Sequence, residues 1–177
     1  MTHQSVTEEA LDRLDFSWKD AKILDLGCGG KHFEAWFRNK GADYRGVEKI
    51  IPPDAQIPDR MMYFDFAREW PLPSDNYVPF IFFCHSFEHG ENPILTLKEA
   101  LRCLAPGGTI FISTPNPTKH QILDKDADHV FVLNEMQMER LLRYCGFIDI
   151  TTQIVDGNDP DPSGWSVITT GRKPNGL

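Results

Sequence analysis

Apolar residues along this chain gather in short continuous runs divided by stretches of helical period, the pattern of strands crossed by helices. Runs at about 22–26, 44–48 and 78–84 read as strands one, two and four, and the apolar start of Tyr63-Phe64-Asp65-Phe66-Ala67 as the end of strand three. Val78 to Cys84 is continuously apolar and predicts a central strand buried on both faces. Phe33, Trp36 and Phe37 stand at i, i+3 and i+4, predicting a helix over 31–40 that Gly41 stops. Ser5 and Glu8 match a capping box, and Ala10, Leu11 and Leu14 predict a short amphipathic helix whose apolar face covers the sheet or a ligand. Pro52, Pro53 and Pro58 argue against a helix between strands two and three.

Farther on, Asn92 predicts a cap for a helix opening at Pro93, with Ile94, Leu97, Leu101 and Leu104 on its inner face. Gly107 and Gly108 end it, and strand five runs from Thr109 to about Ser113. Asn134 caps another helix with Met138, Leu141, Leu142 and Cys145 inward, closed by Gly146. Two strands follow, at 147–155 and 165–171. The segment 114–133, with two prolines and two histidines, is long for a loop and predicts a substrate lid. The acidic stretch from Asp156 to Pro162 lacks calcium-loop spacing and reads as a solvated turn.

Candidate chemistry begins at Ile23-Leu24-Asp25-Leu26-Gly27-Cys28-Gly29-Gly30, a strand ending in an acid and then a glycine-rich turn that lets a ligand approach the backbone. A dinucleotide fingerprint would need glycine at 32, where this chain has His32, which argues against an NAD-dependent oxidoreductase. Glu48 ends the second strand about twenty residues on, where such folds hold a ribose, and Asp65 with Phe66 follows the third.

Taken in order, these signals resemble the class I S-adenosylmethionine-dependent methyltransferases, from about residue 20 to the C-terminus. The resemblance implies an α/β fold: one doubly wound Rossmann-like sheet of seven strands, order 3-2-1-4-5-7-6, the last antiparallel. It implies S-adenosylmethionine as cofactor, with Gly27, Cys28 and Gly29 passing its methionine part, Glu48 its ribose, and Asp65 and Phe66 its adenine. Asp25 and Cys84, closing strands one and four beside that loop, complete the cofactor set. Two positions depart from the family pattern: Lys31 stands at the third glycine of G-x-G-x-G, and Pro79 replaces the acid that often opens strand four.

In Cys84-His85-Ser86-Phe87-Glu88-His89 three readings compete. The Glu-His pair shapes the loop; or His85 or His89 is a general base; or Glu88, His89 and His129 hold a divalent metal, as in metal-dependent O-methyltransferases acting on RNA 2′-hydroxyls or catechol-like acceptors. His85 stands where that metal pattern has a glutamate, so no metal is the favoured expectation.

At 177 residues the chain predicts one domain, residues 1–177, with a helical N-terminal segment over 1–20. Its net charge of −8 and lack of a basic cluster argue against nucleic acid, leaving a small-molecule acceptor as the expectation, and the histidines clustered at the acceptor site favour O-methylation over N-methylation. A methyltransferase-fold subunit without activity of its own, or one completed by a protein partner, is the alternative. The four cysteines are scattered, as buried thiols of a reducing compartment would be. No run approaches a membrane span and no leader pattern opens the sequence, so the expected location is cytoplasmic.

Overall fold

The computed structural model describes residues 3–50, 60–72, 77–117, 128–155 and 166–176. Its seven strands are β1 Lys22–Leu26, β2 Asp43–Glu48, β3 Met61–Tyr63, β4 Val78–Cys84, β5 Leu104–Pro115, β6 Ile148–Val155 and β7 Ser166–Arg172. They form one sheet in the order β3-β2-β1-β4-β5-β7-β6. The β1–β2, β1–β4, β2–β3 and β4–β5 pairs are parallel, while β7 runs antiparallel to both β5 and β6. This is the expected α/β Rossmann-like topology.

Side chains alternate across the central strands, so a core forms on each face. Ile23, Phe80, Phe82 and Phe111 meet Val6 and Leu11 of α1 (His3–Asp12), Phe33, and Phe37 of α2 (Glu34–Asn39). Leu24, Leu26, Ile81, Phe83 and Ile112 face the other way, onto Leu97 and Ala100 of α3 (Pro93–Cys103) and Met138 and Leu142 of α4 (Glu135–Cys145). β4 is sandwiched between them, which is why its sequence is unbroken by polar residues. At α4 the expected cap is present in full. The Asn134 side chain accepts from the Gln137 N–H at 2.9 Å, and the Gln137 side chain accepts from the Asn134 N–H at 3.0 Å. Gly146 closes the helix at φ +104°.

Several boundaries differ from the sequence expectation. The second helix begins at Glu34, not 31, because Lys31 takes φ +58°, a left-handed conformation through which a helix cannot propagate. Ser5 does not cap α1, which is already helical at His3; Gln4 donates to Glu8 at 3.0 Å inside its first turns. α3 stops at Cys103, and Leu104 belongs to β5, which runs on through Gly107 and Gly108 to Pro115. The buried face of α3 is Thr96, Leu97, Ala100 and Cys103, while Ile94 is exposed. The Thr96 hydroxyl, donating to the Phe66 and Asn92 carbonyls at 3.1 and 3.0 Å, explains how a polar residue turns inward. Pro79 is the second residue of β4, at the irregularity in its register with β5, where a strand best tolerates a missing N–H.

Segments 51–59, 73–76, 118–127 and 156–165 lie outside the described residues. With them go the proline-rich crossover, half of the expected lid including His120, and the acidic turn at 156–162. No helix among the described residues is long and apolar enough to cross a membrane.

Candidate active site

Parallel strands deliver their carboxyl ends to one edge of the sheet, and the loops leaving β1, β2 and β4 meet there. The N–H groups of Gly27 and Cys28 donate to the Val47 carbonyl at 2.9 and 3.2 Å, which ties the glycine loop to β2. Gly27 takes φ +71°, and a Cβ on it would come within 2.4 Å of the Ser86 Cβ. Only glycine lets this loop pack so tightly on the one after β4, and the Ser86 hydroxyl locks the contact by donating to the Leu26 carbonyl at 2.6 Å. Lys31, at the position of the missing third glycine, adopts the positive φ a glycine would have taken.

Three carboxylates surround the loop, each in a different setting. Asp25 is buried and accepts from the Tyr44 hydroxyl at 2.6 Å. Burial pushes its carboxyl up to about 7; the Tyr44 hydrogen bond opposes the shift and the negative Glu48 adds to it. Glu48 accepts from the Gly29 N–H and so pins the loop to the end of β2. Asp65 accepts from the Ala67 N–H at 3.0 Å and faces the Lys49 ammonium at 3.0 Å. Burial works to raise the Asp65 carboxyl, but Lys49, the Ala67 N–H and Arg68 outweigh it and hold the group below the usual carboxylate range. Burial pushes the Cys28 thiol up to about 12 and raises Cys84 as well, so both pack as thiols and neither is a nucleophile near neutral pH.

Two hollows open at this edge and share Gly27 and His85. One, of about 280 Å³, is lined by Glu48, Lys49, Asp65, Phe66, His89 and Glu91 among others. The second, of about 220 Å³, is lined by Asp25, Cys28, Gly29, His32, Phe33 and Cys84. Between them they take in every residue that the sequence assigned to cofactor binding or catalysis. A more open hollow of about 560 Å³ adjoins the first through Ala67 and Glu91 and lies away from the histidines.

His85 bridges the two hollows in a left-handed conformation, φ +50°, that is uncommon outside glycine and tends to mark functional sites. Its Nε2 lies 3.0 Å from the Ser166 hydroxyl at the start of β7, and its Nδ1 lies 4.0 Å from Glu88. Glu88 is fully buried in the short 3₁₀ turn Phe87–His89. Beyond it stands His129, with Nε2 at 3.8 Å from the Glu88 carboxylate. The His129 segment is docked by the Val130 N–H, which donates to the Glu88 carbonyl at 3.0 Å. The His89 ring lies tilted against that of His129 at 4.8 Å between ring centres, and its Nδ1 donates to the Asp128 carbonyl at 2.9 Å. One ligand atom from each of Glu88, His89 and His129 lies within 4.8 Å of the others.

The family model for a methyltransferase domain matches residues 3–152. This chain belongs to the class I S-adenosylmethionine-dependent methyltransferases. No curated protein matches it in sequence. Among solved structures, a chain from the complex of the Haloferax volcanii Trm112 methyltransferase activator superposes with a TM-score of 0.75 at 19% identity, covering 97% of this methyltransferase and 90% of that chain. A SAM-dependent methyltransferase from Archaeoglobus fulgidus gives 0.74 at 18% identity, covering 96% and 94%. The Burkholderia thailandensis 1,6-didemethyltoxoflavin-N1-methyltransferase, bound to 1,6-didemethyltoxoflavin and S-adenosylhomocysteine, gives 0.71 at 18% identity, covering 97% and 76%. At these identities the likeness is one of fold.

Some residues of this methyltransferase's site had no signal in the sequence. Ser166 reaches His85 from 81 positions away, and only the pairing of β7 with β5 brings it there. Lys49 and Ser86 each sit next to a residue already singled out, yet nothing in their spacing predicts an ion pair with Asp65 or a bond to Leu26.

Proposed function

We propose that this methyltransferase binds S-adenosylmethionine across both hollows and moves its methyl group to a hydroxyl of a small-molecule acceptor. The adenosine lies in the larger hollow, with Glu48 accepting from the ribose hydroxyls and Asp65 and Phe66 against the adenine. The methionine part passes Gly27, Cys28 and Gly29 toward Asp25 and Cys84 in the smaller one. One observation carries this reading: a carboxylate at the end of β2 touches the glycine loop and lines the same hollow as Asp65 and Phe66. The chain serves as one domain, with α1 as part of the cover of the smaller hollow.

In the transfer, the acceptor oxygen attacks the methyl carbon in line, the carbon–sulfur bond breaks, and S-adenosylhomocysteine departs with the bonding pair on sulfur. His85 takes the acceptor's proton, since it alone among the site's histidines lines both hollows. Holding the acceptor in place contributes ~7–11 kcal/mol and a positioned base ~10²- to 10⁴-fold. A small acceptor suits the net charge of −8, which repels nucleic acid. The Burkholderia thailandensis neighbour, too, holds a small molecule beside S-adenosylhomocysteine. Replacing Glu48→Ala tests the cofactor reading: the loss of a charged contact should weaken S-adenosylhomocysteine binding by ~1.5–3 kcal/mol in calorimetry. Unchanged affinity would remove Glu48 from the ribose.

A second reading, metal-assisted O-methylation, is favoured by a specific feature of the histidine cluster. A carbonyl only accepts, so the His89 Nδ1 bonded to Asp128 carries the proton and Nε2 keeps its lone pair, the arrangement typical of a metal-ligating histidine. Glu88, His89 and His129 offer one oxygen and two nitrogens, a set that suits zinc, a borderline ion, and that manganese accepts more readily than magnesium does. Ligands of one ion at ~2.1 Å lie within ~3.5 Å of each other, so the three need to close by about an ångström. Such an ion would supply Lewis acidity to an acceptor hydroxyl. Zinc or manganese titrated into the wild type should then bind stoichiometrically, His129→Ala should abolish that binding, and a chelator should abolish turnover. Turnover indifferent to the chelator leaves the His85 reading alone.

A further inference from the structure

We propose that His32 recognises the α-carboxylate at the amino-acid end of the cofactor, and that α1 holds it in position. With S-adenosylmethionine seated as above, on which this inference rests, that carboxylate enters the smaller hollow. A carboxylate leaving water needs a cation or strong donors in exchange. No lysine or arginine is among the described residues that line this hollow, and Asp25 is the acid there. The groups able to carry positive charge are the imidazoles of His32 and His85. His85 is directed toward Ser166 and Glu88. Lys31, one residue before His32, is turned aside by its left-handed backbone and has its ammonium 3.6 Å from Glu34. The carboxylate thus falls to His32.

Local packing supports the role. The His32 ring lies over Gly30 so closely that a Cβ there would stand 3.2 Å from both Cε1 and Nε2. Gly30 therefore makes room for the ring to fold over the loop, where it stays exposed at the rim of the smaller hollow. The His32 backbone is fixed from outside: its carbonyl accepts from the Gln4 amide of α1 at 3.2 Å, and the same amide donates to Glu8 at 3.0 Å. Three residues on, buried Thr7 places its hydroxyl 3.7 Å from Cys84 Sγ, another wall of the hollow. α1 meets the methionine end at two points, which makes Gln4 a positioning residue acting through His32.

The test is a calorimetric comparison of S-adenosylhomocysteine with 5′-methylthioadenosine, which shares the adenosine and thioether but has no amino-acid end. His32→Ala should weaken S-adenosylhomocysteine about tenfold and leave 5′-methylthioadenosine unchanged. His32→Lys, which returns a cation, should restore most of that loss, and Gln4→Leu should weaken S-adenosylhomocysteine alone by a smaller factor. Unaltered binding of 5′-methylthioadenosine shows that the variants remain folded. An equal loss on both ligands, or no loss on S-adenosylhomocysteine, overturns the role of His32 while leaving the cofactor reading intact. Wild type that binds neither ligand overturns both.

Discussion

Asp25 is an acid kept away from water by the strands around it, and its titration belongs to the stability of the fold. In the unfolded chain it releases its proton near 3.8, whereas in the native state burial holds that proton up to about 7. Over the interval between, the native state binds a proton that the unfolded chain has lost. The stabilisation from this group is complete below the unfolded value and disappears as pH climbs through about 7. Asp25→Asn, a neutral shape mimic, should therefore gain in Tm relative to wild type as pH rises from about 4 to about 7, and the gain should level off above that. Parallel Tm profiles for the two proteins would contradict the buried, protonated Asp25. The sequence marked Asp25, Glu48 and Asp65 because each follows an apolar run. Their unequal settings depend on Tyr44, Gly29 and Lys49, and these contacts form only once β1, β2 and β3 are side by side.

Elements were legible where one local signal dominated and shifted where two competed. The Asn134–Gln137 box and Gly146 bound α4 as expected, since both caps are local chemistry. β4 followed from its unbroken apolar run. α2 did not start where its apolar period suggested, because the loop's need for a positive φ at 31 overrode helix propensity in a lysine. α3 ended early because β5 claims Leu104 onward, and buried Lys173 secures that junction by donating to the Arg102 and Leu104 carbonyls at 3.2 and 2.9 Å. The left-handed Lys31 carries a consequence for stability. Lys31→Gly should raise stability by roughly 0.5–1 kcal/mol, because relief of the strained backbone exceeds the loss of a partly exposed ion pair. The denaturant midpoint of the variant measures this, and a lower midpoint would mean that the Glu34 contact outweighs the strain.

For the whole molecule, strand order was the most legible property and the acceptor the least. Four motifs in sequence carry the family resemblance, and that resemblance implies the order 3-2-1-4-5-7-6 found in the sheet. That same edge gathers Glu88, His89 and His129, although His129 lies forty residues beyond the turn that holds the other two. The sequence could name these residues but not their spacing, which depends on the docking of the 128–131 backbone against Glu88. The central claim is that the paired hollows are a cofactor cleft specific for S-adenosylmethionine and its product. A parallel calorimetric titration with S-adenosylmethionine, S-adenosylhomocysteine and NAD tests it directly. Saturable binding of the first two and none of NAD is the result expected; failure of both to bind, or a preference for NAD, would contradict it.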